Sequence, residues 1–199
     1  MTIFRRFGLL APLAALSLAG CGLNSVPTAE EQVNAKWSDL QADYQRRADL
    51  IPNLVNTVKG YAKQESSVLI AVTQARADAG RVQLSPGDLS DPTKVQAFND
   101  AQSRLTQAII PLQRLQEAYP DLKSNANFLA LQDQLEGTEN RINASRRDYN
   151  EAVRSYNTRI RTFPDAIGAK IFYGAKPKVP FEASANAQEA PPVNFGNAS

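Results

Sequence analysis

The sequence predicts an all-α protein, an elongated antiparallel bundle of three to four long helices whose first helix is kinked near Pro52. Three observations lead there. In residues 127–163, Phe128, Leu135, Ile142, Tyr149, Tyr156 and Phe163 recur every seven positions, with Leu131, Thr138, Ser145, Ala152 and Arg159 offset by three. That spacing draws one stripe along one side of a helix. About 36 such residues make a rod of about 54 Å, whose narrow stripe must be covered by helices of similar length. Two further stripes of the same kind precede it, separated by a segment carrying Pro86 and Gly87. The 199-residue chain is also long enough to bury a substantial core.

The N-terminus comes first. Arg5 and Arg6 precede an apolar run from Phe7 to Ala19 interrupted by Pro12. This run is shorter than the roughly 20 residues that span a bilayer and fits a signal peptide over 1–20. It ends Leu18-Ala19-Gly20-Cys21, which resembles the lipobox of bacterial lipoproteins. That resemblance implies cleavage after Gly20 and acylation of Cys21 at sulfur and amino group, a multi-chain anchor that holds firmly. Residues 21–27 then read as a tether. Gly22 follows the cysteine, where inner-membrane lipoproteins often carry Asp, so the outer membrane is favoured over the inner.

The bundle proper is expected over 28–173. Thr28 and Glu31 have the spacing of a capping box. A stripe then runs Val33, Trp37, Leu40, Tyr44, Ile51, Leu54, Val58, Tyr61, Val68, Val72 and Ala75, with Arg47 and Glu65 as polar interruptions and Gly80 as a stop. Pro52 removes an N–H and presses on the Ala48 carbonyl, which predicts a kink. A single helix this long outruns its neighbours. Either its N-terminal part folds back, making four helices, or it projects as a stalk; a continuous, kinked helix with a less covered N-terminal end is preferred. Residues 81–91 read as a loop, closed by Asp91 at the N-cap and Pro92 at the first helical position. The next stripe is Val95, Phe98, Leu105, Ile109, Leu112 and Tyr119, interrupted by Gln102 and Gln116, with a kink expected at Pro111 and a stop at Pro120. Asn125 or Asn127 could cap the rod. Within it Ile142-Asn143, Tyr149-Asn150 and Tyr156-Asn157 form a small repeat, while Arg147, Arg154 and Arg161 share its period on the opposite face. Residues 165–173 suggest a short amphipathic helix. Residues 174–199 read as extended or disordered chain that Phe181, Val193 and Phe195 could pin into a groove.

Four segments resemble the LemA family: RRADLIPNLVNTVKGYAKQE at Arg46–Glu65, AYPDLKSNANFLALQDQLEGTENRI at Ala118–Ile142, RRDYNEAVRSYNTRIRTFP at Arg146–Pro164, and the FE…PPVNF tail at Phe181–Phe195. The resemblance implies a membrane-attached bacterial envelope protein with an exported helical bundle, no cofactor and no known catalytic residues. Members usually begin with a transmembrane helix; here the lipobox stands in its place. Asp49, Pro52 and Asn53 fall in a closely matching stretch, as either a structural kink or a docking site.

Composition excludes several chemistries. There is no histidine and one cysteine, so no His-dependent triad, no His-ligated metal and no internal disulfide. No Ser-x-x-Lys and no phosphate-cradling glycine loop occur. Once Arg5 and Arg6 leave with the signal peptide, the 22 basic residues become 20 and equal the 20 acidic ones, which argues against nucleic acid. The favoured reading is a lipid-anchored, non-catalytic scaffold for unidentified envelope proteins. The alternatives are a carboxylate-dependent hydrolase, with Asp133 and Glu136 or Glu30 and Glu31 as formal candidates, and direct membrane binding through Arg147, Arg154 and Arg161.

Overall fold

The structure is a computed structural model and describes residues 24–181; Cys21, Val193 and Phe195 lie outside them. The described residues form six α-helices and two short 3₁₀ turns, with no strand. The helices are α1 Ser25–Tyr61, α2 Ser66–Arg81, α3 Pro92–Arg114, α4 Pro120–Lys123, α5 Ala126–Arg159 and α6 Asp165–Ile171. The long ones, α1, α2, α3 and α5, make an all-α antiparallel bundle, as the stripes require.

Helix α1 differs from expectation at both ends. It starts at Ser25, and the Thr28 hydroxyl donates to the Asn24 carbonyl at 2.7 Å, so no capping box with Glu31 forms. It ends at Tyr61, and the chain reverses over residues 62–65. Helix α2 returns alongside it: Arg76 reaches Ala48, and Gln41 reaches Leu84. The predicted 28–80 helix is therefore a hairpin, and the fold has four long helices. The predicted stripe runs unbroken through Val58, Tyr61, Val68 and Val72 and so hides the turn; in the structure Tyr61 is 43 % exposed and Val68 only half-buried, and Ala62 and Leu69, each one position on, are buried in their place.

Pro52 does not end the helix. The Ala48 carbonyl, four residues earlier, loses its usual partner to the proline ring, and Arg76 Nε of α2 donates to it at 2.7 Å. The polar residues flanking the proline, Asp49 and Asn53, are engaged elsewhere. Asp49 accepts from Gln45 Nε2 at 2.7 Å, and the Asn53 carbonyl accepts from Thr57 Oγ1 at 2.9 Å. Helix α3 is likewise continuous through Pro111 and ends at Arg114, before Pro120.

The two expected N-caps are in place. Asp91 accepts from Thr93 N at 2.9 Å and Lys94 N at 3.3 Å, and Asn125 Oδ1 accepts from Phe128 N at 2.9 Å. Between α2 and α3 a 3₁₀ turn, Pro86–Ser90, is stapled by Asp88. Its carboxylate accepts from Ser85 N and Oγ and pairs with Lys94. These bonds, the one from Lys94 foremost, hold Asp88 well below the usual carboxylate range.

Helix α5 runs antiparallel to α1, tied by Lys36–Asp148, Ser145 to Asp43 and Arg47–Glu139. Its stripe from Phe128 to Tyr156 is buried, but Phe163 is 82 % exposed because the helix stops at Arg159. The interior divides into two apolar clusters. One, near the start of α1, gathers Val26, Val33, Trp37, Tyr44, Phe98, Tyr149, Tyr156 and Phe181. The other gathers Ile51, Leu54, Val58, Leu69, Leu105, Leu112, Phe128 and Leu135. The N-terminal end of α1 is thus well covered, contrary to expectation, by the 82–91 loop, α6 and the chain after it.

Candidate functional site

Three features stand out, built respectively from a polar interruption, a repeat and a surface. Arg47 interrupts the α1 stripe and sits between the two apolar clusters, only 2 % exposed. A buried guanidinium needs several acceptors to offset lost hydration. Nη1 donates to Thr106 Oγ1 at 2.8 Å and to Glu139 Oε2 at 3.0 Å. Nη2 donates to the Gln102 carbonyl at 3.3 Å and Gln102 Oε1 at 2.7 Å. The Tyr44 ring lies 5.3 Å from the guanidinium carbon. One polar layer therefore joins α1, α3 and α5. Its outer edge opens into a groove of about 530 Å³ lined by Arg47, Thr106, Gln113, Asp133, Glu136 and Glu139. The acid pair Asp133 and Glu136 thus shares a concave surface with Glu139, which is committed to Arg47. The other pair is divided: Glu30 binds Lys178 at 2.9 Å, and Glu31 is exposed.

The Tyr-Asn repeat has a structural purpose. After α6, Gly174 adopts a left-handed backbone (φ 53°), and Ala175 N donates to the Ala169 carbonyl at 3.0 Å. The chain then turns back along α5. Asn157 exchanges two 2.8 Å hydrogen bonds with the Lys178 backbone, and Asn150 does the same with Phe181. Seven helical residues rise about 10.5 Å, so the three residues from 178 to 181 must be nearly fully extended. Two asparagines one heptad apart grip the chain as a strand neighbour would, through its backbone. The clamp seats Phe181 in the core. It stacks on Trp37 (5.8 Å, 18°) and meets Tyr149 at 5.1 Å, with Arg146 over its outer face at 5.7 Å. Asn143, the first member of the repeat, is exposed.

Tyr149 is fully buried, and its hydroxyl donates to the Val179 carbonyl at 3.0 Å. Burial pushes its pKa well above the ordinary value of about 10. Tyr156 is pushed to about 12 by burial and by Glu30, and Tyr44 is raised by burial against the opposing charges of Arg146 and Arg47. Above pH ~10 the unfolded chain releases these protons while the folded chain keeps them, so stability falls as pH rises. Each group contributes at most about 1.4 kcal/mol per pH unit. Tyr149→Phe should be less stable at neutral pH but show a shallower alkaline decline, measured as the urea midpoint between about pH 9 and 11. An identical slope would mean that Tyr149 ionises as freely folded as unfolded.

The predicted surface residues do not converge. Asp49, Pro52 and Asn53 lie on the half of α1 that packs against α2; Asp49 and Asn53 are exposed. Arg147, Arg154 and Arg161 are exposed toward the other end, and Arg154 pairs with Glu151 at 2.9 Å. Among the described residues no three acidic, histidine or cysteine side chains are grouped to hold a metal, and no helix is long and apolar enough to cross a membrane. Compared with known families, residues 36–195 match the model of the LemA family. No curated protein is matched.

Proposed function

Because the chain belongs to the LemA family, we propose that it is a lipid-anchored, periplasm-facing bundle, acting without catalysis as a scaffold or adaptor for envelope proteins. Its placement on this reading is the outer membrane. The observation that supports it most is the distance between anchor and fold. Helix α1 begins at Ser25, four positions after Cys21, so acyl chains on Cys21 would hold a rod of about 50 Å close to the bilayer. The rod's long polar faces, including the Asn53 and Arg147–Arg161 surfaces, remain available to partners.

Two measurements test this. Cys21→Ser should abolish incorporation of labelled fatty acid; label in that variant would place attachment elsewhere and remove the anchor. Photo-crosslinkers at Asn53 and Arg154 in the native host should capture a reproducible envelope protein. Crosslinks to no protein from either face would defeat the scaffold reading. The carboxylate reading keeps one favouring observation, the groove holding Asp133 and Glu136. Joint exchange of these two for Asn and Gln should leave crosslinking unchanged, whereas a loss of glycan hydrolysis would favour an enzyme.

A further inference from the structure

Helix α6 is built the wrong way round for a helix covered only by water. Its inward residues are small, Gly168 and Ala169, both buried. Its outward residues are large and apolar: Ile167 is 52 % and Ile171 69 % exposed. Phe163, Phe172 and Tyr173 beside it are 82 %, 67 % and 45 % exposed. Nine large apolar side chains are exposed among the described residues, and these five fall within positions 163–173; the other four are scattered singly. Single exposed apolar residues are ordinary, but a cluster marks a covered surface.

We propose that this end of the bundle seats on the surface of the lipid bilayer, with α6 lying in the interface. The inference rests on the anchor at Cys21 proposed above. Three observations choose lipid as the occupant. Helix α6 packs against α1, and α5 ends beside it while running antiparallel to α1, so the patch lies at the end where the chain arrives from Cys21. Positions 159–176 carry Arg159, Arg161, Lys170 and Lys176, all exposed, against Asp165 alone, which complements anionic headgroups. The same charges would oppose one another if two copies met through this face. The composition, isoleucine and aromatic residues between basic ones, is that of interfacial helices. The contact adds a second point of attachment to the one at Cys21, with α1 and α5 held at a defined angle to the membrane.

The test uses the full lipidated chain carrying Ile171→Cys, reconstituted in vesicles of phosphatidylethanolamine and phosphatidylglycerol. With Cys21 acylated, the introduced thiol is the only one free to take an environment-sensitive fluorophore. Expected are blue-shifted emission and quenching by brominated lipid at position 171. Neither is expected for Leu129→Cys, near the opposite end of α5 and about 45 Å away along it. A water-like probe at 171 on a lipidated, vesicle-bound chain overturns the proposal. A second labelled thiol, by contrast, shows that Cys21 is not acylated and overturns the anchor beneath it. The Cys21→Ser, Ile171→Cys chain without vesicles should report water. A blue shift there would mean that a second copy or the chain's own C-terminal residues cover the patch, and would also overturn it.

Discussion

Phe181→Ala should destabilise the fold by about 3–5 kcal/mol, the range for removing a fully packed aromatic. Phe181 is 4 % exposed and touches Trp37, Phe98 and Tyr149, so its loss opens a cavity lined by three rings that are already packed on one another. The two asparagine clamps remain in this variant, because they hold backbone atoms. The expected result is therefore a lower urea midpoint with the extended segment still protected from hydrogen exchange at Lys178, whose N–H donates to Asn157. Asn150→Ala with Asn157→Ala should do the reverse, losing that protection. A change below 1 kcal/mol for Phe181→Ala would place the ring outside the core.

Arg47→Ala should cost about 2–4 kcal/mol, through a void between the two apolar clusters and the loss of the Arg47 donor to Gln102 Oε1. Arg47→Met should cost far less and could raise stability, since well-packed apolar replacements of buried ion pairs are often neutral or better. The partner variant Glu139→Ala leaves a buried guanidinium with only neutral acceptors, and should cost more than Arg47→Met. Urea denaturation of the three variants decides the matter. Equal losses for Ala and Met at position 47 would show that the charge itself stabilises the layer.

Much of this architecture is legible in the residues. Seven-residue spacing found the buried face of α5 from Phe128 to Tyr156, and local cap chemistry found Asp91 and Asn125, because both signals act over one or two turns. Pro52 advertised a missing hydrogen bond, but its remedy, Arg76, comes from a different helix. The reversal at 62–65 is hidden because apolar residues continue at heptad spacing through Tyr61 and Val68, although the buried face there is set by Ala62 and Leu69. The polar layer was visible only in pieces. Arg47 and Gln102 each interrupt a stripe, and a buried cation on one helix calls for polar partners on those facing it, but the α5 partner, Glu139, lies one position off its stripe, beside Thr138. Matching such interruptions between helices points to the Arg47–Gln102 pair, but not to Thr106 and Glu139. The Tyr-Asn repeat was recognisable as a pattern but not as a clamp, since its ligand is backbone and carries no residue signature.

The manner in which Phe181 closes the core has a consequence for biosynthesis. Trp37 is made long before its stacking partner, so the apolar cluster near the start of α1 cannot be completed until Phe181 has emerged. Contacts this remote in sequence form slowly and leave apolar surface open meanwhile. A nascent or translocating polypeptide of this kind stays unfinished, open to chaperones and passable through a narrow channel, until the stretch around Phe181 is released. A premature stop upstream of that stretch would yield a product recognisable to quality-control proteases by its bare indole.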